Sequence, residues 1–222
     1  MTAFNQTLTC HPPPWRLFGK AFVCCGLFDS TAIRPLIPKD LRIVNVLPNR
    51  TLGSILIAHY NEQSTYSYHE VIVAPALVAH KKNKGFYISH ICVDHQDALV
   101  GGHSIWGLEK FTAQFSWDEH DNISVSSEQY GKFLDAQFSP KISLLPRLRP
   151  ACSLAIISSL NKQWMSSNVK SKANYRLAKT HSLALSLPGL TLPKHLFTLN
   201  FDVLALEIAT PRIITNAPAS EG

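Results

Sequence analysis

The sequence has no apolar run long enough to cross a membrane as a helix, and no secretory signal at its start. None of its apolar runs reaches the roughly 18 residues that a membrane span needs, and MTAFNQTLTCHPPPWRLFGK lacks an early basic residue followed by an apolar stretch. The five cysteines are an odd number without regular spacing, which is typical of a reducing compartment. We therefore expect a cytoplasmic protein whose 222 residues build a core without disulfides.

Asp and Glu are absent from positions 136–201, although this stretch contains nine of the 21 Lys and Arg residues. The net charge of +6 therefore comes from the C-terminal third of the chain. Such a stretch forms a solvated face, a docking surface for an anionic membrane or another anion, or a nucleic-acid surface. Zinc-finger spacing, RRM aromatic motifs and Gly-rich RNA-binding loops are missing. We therefore predict no nucleic-acid partner and leave peripheral contact with an anionic membrane open.

Hydrophobic residues alternate with a period of two along most of the chain, which predicts strands. The predicted strands lie at 17–28, 41–47, 52–60, 67–78, 86–93, 111–117, 123–130, 176–187 and 196–208. The second to seventh of them pair in order as three hairpins. Many short strands separated by turn signals are typical of a mainly β barrel or sandwich, and a barrel of this size encloses a ligand cavity.

Helical signals are few and short. We predict a helix at 31–37, capped by Ser30, and one helical turn within 94–102, whereas 152–165 fits a helix or a strand equally well. The triple proline at 12–14 favours an extended chain. The predicted organisation is an irregular arm over residues 1–14, a single domain over residues 15–215 and a tail over residues 216–222.

Possible metal ligands are densest between positions 90 and 103, a segment that contains His90, Cys92, Asp94, His95, Asp97 and His103. None of the spacings typical of a metal site, such as CxxC or HExxH, is present. We therefore predict no metal site here and interpret the cluster as the polar end of a hairpin.

The segment GGHSIWGLEKF (101–111) places Lys110 among the apolar residues Trp106, Leu108 and Phe111. An amine is nucleophilic only when it is uncharged, and burial favours the uncharged form. Such a lysine can attack a ketone, and the protonated imine that results is the electron sink that decarboxylation of a β-keto acid needs. The alternative is an ordinary surface lysine whose stem lies along its apolar neighbours.

Four segments in order resemble the acetoacetate decarboxylase superfamily over about the first 120 residues. They are PPPWRLFGKAF (12–22), IRPLIPKDLRIV (33–44), LGSILIAHYNEQSTYSYHEVIV (52–73) and YISHICVDHQDALVGGHSIWGLEKF (87–111). The last is similar to the family's strand, short helix and G-R-E-x-W-G-x-P-K segment. Because each piece is short, the order of all four carries the resemblance.

The resemblance implies a closed β-barrel or cone around a pocket, often in a homo-oligomer. It places the Schiff-base lysine at Lys110, a pocket glutamate at Glu70 and a basic residue of the first strand at Lys20. The lysine itself supplies the electron sink, so the resemblance implies no metal or organic cofactor. The further candidates for substrate binding are Tyr68, His103 and Trp106.

The chain departs from the family pattern next to the lysine. The Arg and Glu of the G-R-E motif are His103 and Ser104 here, the proline before the lysine is Glu109, and the second lysine is Phe111. On an extended strand Glu109 faces away from its neighbour, so it need not neutralise the amine. The lost Arg–Glu pair changes the groups available to bind a small carboxylate.

Two functions follow from these patterns. The first is an enzyme of the decarboxylase type that acts on a small keto acid through an imine on Lys110, while Glu70, held by Lys20, orients the substrate or moves a proton. The second follows from the N-terminal half, which is closer to a plant and cyanobacterial branch connected with xanthophyll (neoxanthin) formation. It implies a non-enzymatic barrel that binds a hydrophobic isoprenoid or carotenoid. An interaction module that uses the basic stretch is a third interpretation.

Overall fold

The period-two pattern folds into one extended sheet in the computed structural model, which describes residues 10–140, 151–193 and 196–214. Most of the predicted arm and all of the predicted tail, 216–222, lie outside the described residues. The strands are β1 (Trp15–Asp29), β2 (Arg42–Ile43), β3 (Asn45–Leu47), β4 (Arg50–Tyr60), β5 (Tyr68–Ala74), β6 (Ala76–His80), β7 (Asn83–Tyr87), β8 (His90–Val93), β9 (Lys110–Thr112), β10 (Gln114–Trp117), β11 (Asn122–Ser127), β12 (Gly131–Pro140), β13 (Ala151–Leu160), β14 (Gln163–Leu185), β15 (Leu196–Ile208) and β16 (Arg212–Ile213). The described helices are α1 (Gln96–Trp106) and a 3-10 turn at Arg34–Leu36.

The strand order confirms the mainly β class. It runs β2-β6-β7-β13-β14-β15-β1-β4-β5-β8-β9. Beside this path, β12 pairs with β14, β11 pairs with β12, and β10 pairs with β11. Within the described ranges, the end strands β2 and β9 do not pair with each other. Strand pairing therefore does not close the sheet, so the predicted barrel or cone is not formed by a ring of hydrogen-bonded strands.

Strands β1, β4 and β5 are buried on both faces, so their side chains enter different apolar cores. Ile57 and its partner Val71 pack on one face, whereas Ala58 and Tyr60 pack on the other. Successive side chains of a strand point to opposite faces, so neighbours in sequence enter different cores. Glu70 lies opposite Ala58 and therefore belongs to the second face.

The predicted hairpin of 67–78 with 86–93 is confirmed, with one interruption in the ladder. Pro75 has no N–H to continue a ladder, and the chain divides there into β5 and β6. β6 pairs with β7 and β5 pairs with β8 in the same antiparallel register, so both halves of the hairpin keep the predicted partner. The ambiguous segment 152–165 is extended and forms most of β13 and the start of β14.

The cap of the first short helix also differs from the prediction. The Ser30 hydroxyl donates to Asn45 Oδ1 instead of capping a helix. The carboxylate of Asp29 accepts the backbone N–H groups of Thr31 and Ala32, at 2.9 and 3.1 Å. The segment then forms only the 3-10 turn at Arg34–Leu36.

Helix α1 connects two parallel strands, β8 and β9, which need a crossover rather than a tight turn. It runs past the single turn predicted within 94–102, and its two internal glycines leave space for neighbouring side chains. A Cβ on Gly101 would lie 2.5 Å from the Trp15 ring, and one on Gly102 would lie 2.4 Å from Lys110 Cε. The helix ends at Gly107, whose left-handed φ of 59° forms the C-cap.

The acid-free stretch 136–201 contributes the exposed side of β14. Lys170, Lys172 and Lys179 are exposed there, and Arg176 pairs with Asp202 at 2.8 Å. The other basic residues of the stretch include Lys141, Arg147, Arg149 and Lys194, which lie outside the described residues. No helix in the described part of the chain is long and apolar enough to span a membrane.

Two glycines with the same backbone conformation give a test of packing around α1. Gly107 has φ 59° and Gly131 has φ 61°, but a Cβ would lie 2.2 Å from the Ser159 carbonyl oxygen at Gly107 and would meet nothing within 4 Å at Gly131. We expect Gly131→Ala to lower the free energy of unfolding by about 1–2 kcal/mol, the cost of the left-handed conformation. Gly107→Ala should lower it further because β13 must move. Equal losses in urea unfolding would contradict this packing.

Candidate active site

The centre of the candidate site is a buried ion pair between Lys110 and Glu70. Lys110 opens β9 after the crossover helix, and its Nζ donates to Glu70 Oε1 of β5 at 2.7 Å. The two side chains are only 5% and 4% exposed. The pairing of β5 with β8 and of β8 with β9 sets this geometry, because Ile91 of β8 lies between Ile72 and Lys110. The structure thus brings together the two residues that the family resemblance singled out.

Tyr60 holds the second carboxylate oxygen of Glu70. Its hydroxyl donates to Oε2 at 3.1 Å, and it reaches this position because Tyr60 pairs with Tyr68, two residues before Glu70 on the same face. Burial, and then the nearby Glu70 charge, raise the pKa of Tyr60 well above its usual value. The phenol therefore stays protonated and acts as a hydrogen-bond donor to the carboxylate.

Tyr68 and Trp106, the next two candidates for substrate binding, lie in one wall of the site. Lys110 Nζ lies 5.6 Å from the centroid of the Tyr68 ring, and burial followed by the Glu70 charge raises the pKa of the Tyr68 phenol. The Trp106 ring meets Trp15 edge to face at 4.6 Å, and its indole N–H donates to the Ala209 carbonyl. These contacts fix the aromatic wall from both ends.

The other two predicted residues lie away from the ion pair. The exposed His103 ring reaches the backbone only, where its Nε2 donates to the Lys110 carbonyl oxygen at 2.9 Å. Lys20 pairs with His59 in the sheet, on the face opposite Glu70. Its Nζ contacts Asp121 Oδ1 at 3.2 Å and lies 4.5 Å above the Trp117 ring. Alternation along β1 explains why Lys20 does not hold Glu70.

An apolar cavity of about 40 Å³ opens beside the ion pair. Apart from Tyr68, Glu70 and Lys110, its lining is Trp15, Trp106, Ile72, Ile88, Ile91, Leu108, Ile156, Ile208, Ser158 and Ser167. Because a single water needs about 10–15 Å³ of such space, the cavity suits a ligand fragment of a few heavy atoms. The apolar lining shields the ion pair from water.

Sequence reasoning missed Tyr60, Ser158 and Ser167. The hairpin register that places Tyr60 opposite Tyr68 is a signal that the sequence contains, since both tyrosines flank the turn. The serines had no such signal, because the segment of Ser158 fits helix or strand equally well. The described residues contain no cluster of three or more His, Cys, Asp or Glu side chains able to hold a metal.

Removing one member of the ion pair should cost more than removing both. Lys110→Met leaves the Glu70 carboxylate buried without its cation, and we expect a loss of about 3–5 kcal/mol in the free energy of unfolding at neutral pH. In the double variant Lys110→Met/Glu70→Gln no charge remains, so most of this loss should be recovered. Denaturant unfolding of the three proteins measures both effects. A single variant as stable as the unaltered protein would contradict a buried, charged pair.

Comparison with known proteins places this geometry in a family. The sequence profile of the acetoacetate decarboxylase (ADC) family matches residues 6–177. Among curated proteins, Protein NEOXANTHIN-DEFICIENT 1 of Oryza sativa subsp. japonica is 27% identical over 111 residues, which cover 50% of this chain and 36% of that protein. The chain thus spans only about a third of that relative's length.

Solved structures share the fold along nearly the whole chain. Acetoacetate decarboxylase from Legionella pneumophila subsp. pneumophila str. Philadelphia 1 superposes with a TM-score of 0.68 at 15% identity and covers 96% of this chain and 92% of that one. The enduracididine biosynthesis enzyme MppR complexed with pyruvate gives a TM-score of 0.65 at 11% identity, covering 96% and 95%. At these identities the likeness is one of fold. Because the family profile spans most of the sequence, the chain belongs to the acetoacetate decarboxylase family.

Proposed function

We propose that this protein is a decarboxylase that acts on a small keto acid through a Schiff base on Lys110. The observation that carries the proposal is the Lys110 amine itself, 5% exposed, 2.7 Å from the Glu70 carboxylate and open to an apolar cavity. Family membership supports it, because enzymes of the family use a lysine Schiff base and no external cofactor.

Glu70 is placed to activate the amine. Proton transfer from Lys110 Nζ to Glu70 Oε1, along their direct hydrogen bond, leaves the amine uncharged and therefore nucleophilic. The free amine then adds to the substrate carbonyl, and loss of water gives an imine whose protonated form is a cation beside Glu70. Tyr60 keeps Oε2 occupied, so Oε1 is the oxygen that exchanges the proton.

The imine then accepts the electrons of the breaking bond. The pair that joined the carboxylate carbon moves into the C=N system, CO₂ leaves as a neutral molecule, and an enamine remains on Nζ. A proton taken up from solvent, the one that the overall reaction consumes, then adds to the enamine carbon and restores the protonated imine, and water releases the ketone and the amine. Glu70 is the group within reach to hold this proton between the steps.

The relatives favour a second candidate, a barrel that binds a hydrophobic isoprenoid without imine chemistry. It rests on the likeness to Protein NEOXANTHIN-DEFICIENT 1, which covers about half of this chain. The cavity volume of about 40 Å³ supports the small substrate instead, because an isoprenoid of carotenoid length needs many times that space. A buried ion pair in the cavity wall is also a poor surface for a hydrocarbon.

Borohydride reduction in the presence of acetoacetate tests the enzyme directly. We expect peptide mapping to find a stable adduct on Lys110: an isopropyl group where CO₂ left before reduction, and a carboxylate-bearing group where it did not. CO₂ release, measured alongside, should exceed the rate without protein. Lys110→Met should abolish both signals, and Gly102→Ala should reduce them, since its Cβ would displace the lysine chain.

Lys20→Met is the matched control because Lys20 lies on the opposite face of the sheet. It should retain the adduct and the CO₂ release of the unaltered protein. Absence of an adduct on Lys110 across a panel of keto acids, together with a shifted absorption spectrum of an added carotenoid, would refute the enzyme and support the isoprenoid binder.

A further inference from the structure

Two buried serine hydroxyls line the cavity without a protein partner. Ser158 and Ser167 are 3% and 2% exposed. Neither Oγ atom has a hydrogen-bond partner among the residues that the structure describes. Buried hydroxyls are normally hydrogen-bonded, because leaving one unpaired destabilises the fold. Two such groups in one cavity therefore point to a ligand that completes their hydrogen bonds.

The two serines face the same side of neighbouring strands. β13 and β14 run antiparallel, with Ile156 opposite Ser167 and Ser158 opposite Met165. Ser158 lies two residues after Ile156, so it is the diagonal neighbour of Ser167 on one face. Both belong to the cavity that Lys110 and Glu70 line from β9 and β5. The hydroxyls thus approach the cavity from strands that do not carry the ion pair.

The charges in the cavity decide what the hydroxyls bind. Among its described lining residues, Lys110 and Glu70 are the charged ones, and they pair with each other. A keto acid brings a carboxylate in addition to the carbonyl that reacts with the amine. Apart from the Tyr68 phenol, the side-chain hydroxyls that can donate to this carboxylate are those of Ser158 and Ser167, and both lack a partner among the described residues.

We propose that Ser158 and Ser167 bind the carboxylate of the keto acid whose carbonyl reacts with Lys110. This inference rests on the proposed function. Hydroxyl donors orient a carboxylate without cancelling its charge, unlike a guanidinium. When the carbon–carbon bond breaks, its electrons move into the imine and CO₂ departs uncharged. The apolar lining of the cavity favours this loss of charge. The serines therefore orient the carboxylate, and the apolar lining promotes its departure as CO₂.

Acetoacetate and its neutral isostere acetoacetamide distinguish carboxylate binding from general polarity. The measured quantity is the ligand concentration that gives half-maximal borohydride trapping on Lys110. We expect Ser158→Ala and Ser167→Ala each to raise it about tenfold or more for acetoacetate, the usual effect of losing a hydrogen bond to a charged group. For acetoacetamide the rise should be only a few-fold.

Ser166→Ala is the matched control, because Ser166 is also buried but lies on the opposite face of β14. It should leave both concentrations unchanged. Ser158→Ala and Ser167→Ala should unfold at the same or a higher temperature than the unaltered protein, since each removes an unpaired buried hydroxyl. A merely structural serine would instead lower the melting temperature.

The outcomes separate the two proposals. Equal changes for acetoacetate and acetoacetamide, or no change for either, would overturn carboxylate binding by the serines while leaving the imine on Lys110 intact. Failure of the unaltered protein to form an adduct with either compound would refute the proposed function, and the serine assignment with it.

Discussion

The buried ion pair between Lys110 and Glu70 determines how the residues around it are arranged. Two charges in an apolar interior are costly unless each is paired and hydrogen-bonded. Glu70 accordingly has the lysine on one oxygen and Tyr60 on the other. The lysine stem lies where Gly102 has no side chain, and aromatic rings close the outer wall. Such a pair contributes little net stability compared with an apolar core, so its retention in this chain is better explained by chemistry than by folding.

The double-faced sheet explains how a polar site fits into an apolar interior. Because alternate residues of β4 and β5 enter different cores, each face can hold its own polar groups beside its own apolar cluster. His59 and His69 stack on the face that lies away from Glu70, with ring centroids 4.4 Å apart. Lys20 belongs to that side as well. The sheet itself thus separates two sets of titratable groups that are close in sequence.

Local pattern predicted the elements better than their partners. The period of two located most strands, and the predicted strand at 196–208 coincides with β15. The family resemblance found Lys110 and Glu70. Pairing between strands distant in sequence was harder to predict, because no turn joins them: β1 pairs with β15, and β7 pairs in parallel with β13. For the same reason Ser158 escaped notice: its role depends on a cavity formed by strands from both halves of the chain.

The absence of a side chain at Gly102 determines how far the Lys110 side chain can extend. The space that a Cβ would fill, 2.4 Å from Lys110 Cε, is occupied by the lysine stem. The crossover helix is therefore more than a connection between parallel strands, because one turn of it forms the channel along which the amine extends. Helix and lysine are therefore coupled: a larger residue at Gly102 would redirect the Lys110 side chain, and a displaced lysine would leave a gap against the helix.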